Sequence, residues 1–121
     1  MVIPLGKISV PVPGTPVQVT ASAQYLAMTQ VGGAMDPRFL TVQAVLFQTW
    51  AGNSGIVYIG GAGMVKGTGA KVMNALGIPT TSSMPSFGAS NHLSPAGIDL
   101  STFWVDADVA NEGPLVTLLV T

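Results

Sequence analysis

The sequence contains no cysteine, which removes several kinds of chemistry at once. Without thiols the chain can form neither disulfides nor thiolate metal sites, and it has no cysteine nucleophile. Packing and hydrogen bonding must therefore hold the fold together. Histidine is almost as scarce, with His92 as the only one.

Charged side chains are also scarce. The 121 residues include four Lys or Arg and five Asp or Glu, whereas an average domain of this length carries roughly thirty charged residues. A folded monomer of this mass exposes on the order of 6,000 Å². Nine charged residues cannot cover that area. The rest of the surface must therefore carry uncharged polar residues or be buried by other chains. Because soluble monomers rely on many mixed charges to stay apart, the composition favours a protein built for an assembly.

The charges that are present argue against two classes of partner. The formal net charge is −1, and the basic residues form no run that could follow a phosphate backbone; they are Lys7, Arg38, Lys66 and Lys71. We therefore predict no direct binding to nucleic acid. Polar residues or glycine interrupt every stretch of about 20 residues, so we predict no membrane span. The N-terminus lacks the pattern of a signal peptide.

The most informative stretch that is present is Thr41–Met64, which is rich in β-branched and aromatic residues. Two such runs flank the polar connection Ala51–Gly55, a pattern typical of a β-hairpin. In the first run, strand alternation gives one almost wholly apolar face and one mixed face. The apolar face comprises Val42, Ala44, Leu46 and Gln48. The second run, Ile56–Ile59, has little alternation, which predicts a strand covered on both sides.

Shorter strands are predicted on both sides of this hairpin. Pro16–Thr20 and Phe103–Asp108 alternate in the manner of strands, and Pro114–Val120 is a nearly continuous apolar run. Residues 1–14 contain prolines that a central strand does not tolerate, so we interpret them as an N-terminal arm or edge segment. Residues 15–121 then form the main domain.

The remaining segments are less regular. Ala21–Gln30 is compatible with a helical turn or a strand. Ala70–Leu76 predicts a two-turn helix, because Gly77 and Pro79 follow as stop signals. Residues 78–95 predict a long loop of the kind that is commonly functional or ordered by a partner. About seven short strands with at most one short helix predict an all-β, single-domain antiparallel β-sandwich or jelly roll.

The glycine-rich segment Gly60–Gly69 resembles a phosphate-binding loop only superficially. A P-loop needs glycine, then lysine, then serine or threonine, so that the lysine reaches the phosphates. Here Lys66 precedes Gly67 and Thr68, and the third glycine of the dinucleotide pattern is missing. We interpret the segment as a turn-forming loop and predict no cofactor.

Few side chains are candidates for chemistry. Asp106 and Asp108 fall on one strand face, where carboxylate oxygens could meet a cation such as calcium. Two carboxylates are too few for a tight site, so we prefer a solvated or interface strand face. Serine catalysis with His92 would need a third group to hold the ring, and the sequence nominates none beyond a pairing with Asp99 or Asp106. We predict neither catalytic residues nor a metal site.

The aromatic residues offer one further alternative. A platform for sugar rings could be built from Trp50, Trp104, Tyr25 and Tyr58. Aromatic residues within strands more often fill a core or an interface, which is the interpretation we prefer. A carbohydrate-binding module stays as the alternative function.

Three segments of the sequence resemble segments of small structural proteins of tailed-bacteriophage virions. They are Thr41–Ala44 (TVQA), Val57–Met64 (VYIGGAGM) and Gly97–Asp106 (GIDLSTFWVD). In such proteins a valine-tyrosine-valine-glycine-glycine strand precedes a loop containing glycine and proline. A leucine-serine-x-aromatic-valine strand and a final apolar strand then close the sheet. The resemblance extends from about Val17 onward and leaves out the proline-rich first segment.

The resemblance implies a non-enzymatic protein that decorates or cements the capsid surface, with a neck or tail position as an alternative. Its implied partners are its own copies, in a dimer or trimer, and the major capsid protein at subunit joints. Assembly would take place in the host cytoplasm. We expect interface residues in the proline-rich segment, the long loop and exposed apolar positions: Ile8, Val10, Val12, Met35, Met64, Met84, Phe87 and Leu93.

Overall fold

The computed structural model describes residues 2–31, 36, 41–66, 72–76, 86–88 and 97–120. All strand pairs in these residues are antiparallel, and they form two four-stranded sheets. The protein is therefore all-β in class, as its sequence predicts.

Sheet 1 has the strand order β1-β8-β3-β6. Its strands are β1 (Val2–Lys7), β3 (Val42–Thr49), β6 (Ser86–Gly88) and β8 (Pro114–Val120). Sheet 2 has the order β2-β7-β4-β5. Its strands are β2 (Val17–Gln18), β4 (Val57–Gly60), β5 (Val72–Leu76) and β7 (Trp104–Ala107). The helix α1 (Ala23–Val31) lies between β2 and β3 in the chain, and short 3-10 turns occur at Val19–Ala21 and Leu100–Thr102.

Both sheets contribute to one hydrophobic cluster. Sheet 1 supplies alternating residues such as Val45 and Leu118, and sheet 2 supplies Ile59 and Val105, all of them inaccessible to solvent. The ring of Phe47 lies 5.7 Å from the ring of Phe103, centroid to centroid. Burial of these apolar side chains is the main favourable term in the folding free energy.

The predicted hairpin at Thr41–Met64 is wrong. Its two runs do form strands, β3 and β4, but these strands belong to different sheets. β3 pairs with β6 and β8, while β4 pairs with β5 and β7. The connection from Trp50 to Ile56 therefore crosses from one sheet to the other, and Asn53, Ser54 and Gly55 within it are hydrogen-bonded to the turn before β8.

The apolar face predicted on β3 mostly points away from the core. Val45, Phe47 and Thr49 are buried, whereas Ala44 and Leu46 are only partly covered. The pairing of β3 with β8 shifts between Val42 and Ala44, an irregularity that brings Val42 into the core as well. An extra residue in a strand changes the face on which the preceding side chains lie.

Two further predictions about local structure need correction. The helix expected at Ala70–Leu76 is wrong, because Val72–Leu76 forms strand β5 along β4. The loop expected over residues 78–95 contains strand β6, which pairs with β3. Pairing with a neighbouring strand here overrides the helix preference of alanine, methionine and leucine.

The segment that could have been helix or strand becomes helix α1. Ser22 precedes the helix, and its Oγ accepts a hydrogen bond from the backbone N–H of Tyr25 at 3.1 Å. This is the bond of an N-cap, which satisfies one donor of the first helical turn. Tyr25 and Met28 then pack against the edge of the core.

The N-terminal residues take part in the core. β1 is an edge strand of sheet 1, and Ile3 and Leu5 are buried against its neighbours. Beyond β1, Ile8 and Val10 are also buried, and the N–H of Val10 donates to the carbonyl of Glu112 at 2.9 Å. Pro4 lacks an amide hydrogen, which is tolerated on an edge strand.

Candidate contact surface and polar network

The structure separates the predicted interface residues into three groups. Ile8, Val10 and Met64 are buried inside their own chain, at 2%, 0% and 4% exposure, so we correct their assignment and do not retain them as surface contacts. Val12 is 58% exposed and stays available to a partner. The remaining predictions concern side chains outside the described part of the structure: Met35, Met84, Phe87 and Leu93.

Lys66 of the glycine-rich segment is directed at strand β7. Gly63 adopts a φ of 74°, and the N–H of Met64 donates to the carbonyl of Gly61 at 3.1 Å, so the segment makes a tight turn. The Nζ of Lys66 then donates to the carbonyl of Ala107 at 2.9 Å and pairs with Asp108 at 3.2 Å. The lysine thus serves the end of a strand, and it does not reach over glycine amides as a phosphate-binding lysine would.

Tyr58 shares Asp108 with Lys66. The phenol of Tyr58 donates to Asp108 Oδ2 at 3.2 Å. Burial raises the pKa of Tyr58 above its usual value of 10.0, and the charge and hydrogen bond of Asp108, with a smaller effect of Asp106, raise it further. Tyr58 therefore stays a neutral donor over the physiological pH range.

Asp106 is the buried member of the predicted carboxylate pair. It is 1% exposed within its own chain, so the prediction of a solvated or interface strand face is wrong at this residue. Its Oδ1 accepts hydrogen bonds from the backbone N–H groups of Gly14 at 3.0 Å and Ala107 at 2.8 Å. Its Oδ2 has no hydrogen-bond partner among the residues that the structure describes.

The two carboxylates do not converge on a common site. Asp106 is bonded to the turn at Gly14, while Asp108 is bonded to Tyr58 and Lys66. In the described part of the chain, no three His, Cys, Asp or Glu residues lie close enough to hold a metal ion together. His92, the histidine considered for catalysis, lies outside that part.

Glu112 organises the crossover between the two sheets. Its carboxylate accepts bonds from the N–H of Ser54 at 2.8 Å, the hydroxyl of Ser54 at 2.9 Å and the N–H of Gly55 at 3.0 Å. Burial acts to raise the pKa of Glu112, but the hydrogen bonds from Gly55 and Ser54, with help from the charge of Lys7, hold it below the usual 4.5. A carboxylate with several such donors is stabilised in its ionised form.

The residues next to Glu112 complete this connection. The side-chain amide of Asn53 donates to the carbonyl of Gly113 at 2.9 Å, and its oxygen accepts from the N–H of Gly113 at 3.3 Å. A Cβ at Gly113 would overlap the carbonyl oxygen of Ile8. Three distant segments therefore meet here with no space for a side chain at position 113.

Lys7 covers the aromatic ring of Trp50. Its Nζ lies 3.4 Å from the ring centroid, the geometry of a cation–π contact. The same atom donates to the carbonyl of Asn111 at 2.6 Å. The ammonium group therefore covers one face of the ring, and that face is not open to a sugar.

All of the charged residues in the described part of the chain interact within the chain. Asp99 caps the 3-10 turn by accepting from the N–H and hydroxyl of Ser101, and the side-chain hydrogen bond, followed by the backbone one, lowers its pKa. Asp36 is 1% exposed and also has an interaction partner. The full set is Lys7, Lys66, Asp36, Asp99, Asp106, Asp108 and Glu112. These charges serve the fold in addition to any effect on solubility.

Sheet 1 leaves an uncharged surface on the side that points away from the core. We call it the outer face of sheet 1, and it comprises Val2, Pro4, Ala44, Leu46, Gln48, Leu115, Thr117 and Leu119, with Lys7 at its end as the register neighbour of Leu115. Val2 and Leu119 pair across β1 and β8 and are 59% and 42% exposed. The sequence pattern identified the apolar side of β3, but only the pairing shows that this side lies outside.

A shallow cavity of about 250 Å³ lies between the N-terminal segment and the start of α1. Its lining includes Lys7, Ser9 and Ser22 among mainly apolar residues. The ammonium of Lys7 is bonded to Asn111, and the hydroxyl of Ser22 caps α1. Most of the polar capacity of this cavity is therefore used by the fold.

No helix in the described residues combines the length and apolarity needed to cross a bilayer. Comparison of the chain with protein-family models, with curated proteins and with solved structures gives no match.

Proposed function

We propose that this chain is a non-enzymatic structural protein that works by adhering to other protein subunits. One observation carries the proposal: every charged side chain in the described residues interacts within the chain, while the outer face of sheet 1 is uncharged. Free monomers usually keep mixed, solvated charges on such surfaces. A protein that is completed by its neighbours does not need them.

The architecture that fits this role is a β-sandwich or jelly roll. Two antiparallel sheets that share one hydrophobic cluster support this proposal. In such a fold the inner faces form the core and the outer faces are left for solvent or partners. The protein can then present one sheet surface to a partner.

The setting that we propose is the virion of a tailed bacteriophage. The resemblance of Val57–Met64 and Gly97–Asp106 to small phage structural proteins supports it, together with the sparse charge. In this proposal the chain decorates or cements the capsid, with its own copies and the major capsid protein as partners. A place in the neck or tail would use the same adhesive chemistry with fewer copies.

Mass spectrometry of purified phage particles tests this function directly. Particles from the phage whose genome encodes the chain should contain it in many copies relative to the major capsid protein. About a dozen copies or fewer would place it in the neck or tail. Particles free of the chain would contradict the proposal.

A further inference from the structure

We infer that the outer face of sheet 1 is the surface at which two copies of this chain pair face to face. The inference rests on the proposed function, because it names one partner of a protein that acts by adhesion. It differs from the sequence-based expectation, which placed Val12 of the proline-rich segment at an interface.

The chemistry of the face is self-complementary. Along one row of the sheet, Val2, Leu119 and Ala44 are register neighbours on β1, β8 and β3. The next row contains Pro4, Thr117 and Leu46. Neither row contains a charge, so an identical face brought against it meets no like-charge repulsion and leaves no ion without a partner.

The third row shows how the one nearby charge is kept off the face. Lys7 is the register neighbour of Leu115, which pairs in turn with Gln48. The ammonium of Lys7 is bound to the ring of Trp50 and to the carbonyl of Asn111. It is therefore held at the end of the face and leaves the two apolar rows clear.

The size of the face limits the area that two copies can bury. The three strands that carry the face lie about 4.8 Å apart, and with a longest strand of roughly 24 Å they give a footprint of about 350 Å² per copy. Two copies would then bury about 700 Å², which is less than the 1,200 to 2,000 Å² of a typical stable complex. We therefore expect a weak, reversible dimer and not a permanent one.

A second copy fits this face better than an unrelated, permanent partner. A permanent partner would require an area of roughly 2,000 Å² or more, beyond what the face offers, and a charged partner would find no opposite charge on it. Antiparallel sheets pack well on one another at about 10 Å, which a two-fold axis achieves with identical faces. On an assembled shell, many such weak contacts act together.

The exposed residues of the chain allow a matched test. Val2 on the face is 59% exposed and Val12 away from it is 58% exposed, while Leu119 on the face and Leu26 on α1 are 42% and 48% exposed. The double variant Val2→Lys with Leu119→Lys adds charge to the face. The double variant Val12→Lys with Leu26→Lys adds the same charge elsewhere, so net charge and residue types are equal.

Sedimentation equilibrium over a range of concentrations measures the outcome. We expect the unmodified chain and the Val12/Leu26 variant to associate reversibly toward dimer, and the association constant of the Val2/Leu119 variant to fall at least tenfold. Equal association of all three proteins would overturn the inference. Loss confined to the Val12/Leu26 variant would overturn it in favour of the other surface.

A second measurement guards against misfolding of the charged variant. Because the chain has no cysteine, Leu119→Cys and Leu26→Cys each introduce one site for a pyrene label. Excimer fluorescence that rises with concentration for the label at position 119, and not at position 26, supports the pairing; the reverse contradicts it. If particles contain the chain but these tests fail, the inference is wrong and the proposed function stands.

Discussion

The two sheets of this protein present opposite chemistry on the faces that point away from the core. Sheet 2 carries Tyr58 and Asp106, with Asp108 and Lys66 at the end of the same face, and these groups are bonded within the chain. The outer face of sheet 1 carries uncharged and mostly apolar side chains, of which Val2 and Leu119 are well exposed, and the single charge at its end, that of Lys7, is bound to Trp50 and Asn111.

This difference shows where the chain is complete by itself. Most of the polar groups near sheet 2 find partners in the same chain; in the described residues, the exceptions are Asp106 Oδ2 and Trp104 Nε1, both of which are buried. The apolar side chains on the outer face of sheet 1 are removed from contact with water only if another apolar surface covers them. Adhesion is therefore expected from one side of the molecule and internal order from the other.

The largest effect on stability is expected from substitutions in the core that both sheets share, because this core should make the two sheets one folding unit. Phe47→Ala removes the ring that contacts Phe103 and should lower the free energy of unfolding by about 3–5 kcal/mol.

Trp50 follows a strand of sheet 1 and Trp104 begins a strand of sheet 2. Urea unfolding followed by tryptophan fluorescence and by circular dichroism should give coincident transitions. Separate transitions would show that the sheets unfold independently.

Removing the link between the sheets should have the next largest effect. Glu112→Gln keeps the shape but removes the charge that Ser54 and Gly55 bind, so we expect the unfolding free energy to fall by about 2 kcal/mol. Asp99→Asn is the control, because this exposed carboxylate bonds only locally to Ser101; its loss should cost about 0.5 kcal/mol. Equal losses in urea titrations would contradict the linking role of Glu112.

The same residue predicts an acid dependence. The pKa of Glu112 in the folded protein lies below its usual 4.5, so its contribution to stability is present above about pH 4.5 and is lost as the pH falls through the folded value. Unfolding free energies of the unmodified chain should therefore decrease as the pH falls below about 4.5. The Glu112→Gln variant should show a shallower decrease, and an identical slope in both proteins would contradict this origin.

The sequence predicted the strands better than their partners. The β-branched runs at Val42–Thr49, Val57–Gly60 and Pro114–Val120 are local patterns, and each is a strand in the structure. Their pairing is not local: β3 pairs with β8, which lies far along the chain, and does not pair with β4, the next strand in the sequence. The crossover segment is bonded through Ser54 to Glu112, a contact between residues far apart in the sequence.

The sequence indicates which side of β3 is apolar, but it does not indicate that this side is exposed. The apolar side of β3 was recognised through Ala44 and Leu46, but hydrophobicity alone assigns such a side to a core as readily as to an interface. Burial of Asp106 was missed for the converse reason, since its partner Gly14 comes from a distant turn. Both errors concern which side of a strand is covered, and this is decided by tertiary pairing.

The smallest effect on stability is expected from the polar groups on the outer side of sheet 2. Asp108→Asn removes a charge next to Tyr58, so the pKa of Tyr58 should fall toward its usual value while the effect of burial persists. Stability should change by less than about 1 kcal/mol, because Asp108 and Lys66 form a partly exposed ion pair. Ultraviolet titration of the phenol, with Tyr25→Phe in both proteins to remove the second tyrosine, measures the shift. An unchanged or raised pKa would contradict the assigned contact.

Sedimentation equilibrium of the unmodified chain at low and high salt tests the central claim most directly. If adhesion comes from an uncharged face, reversible association should persist or strengthen as NaCl rises from about 0.05 to 0.5 M, because screening weakens only contacts between charges. A chain that stays monomeric at every concentration, or whose association is lost at high salt, would contradict the account.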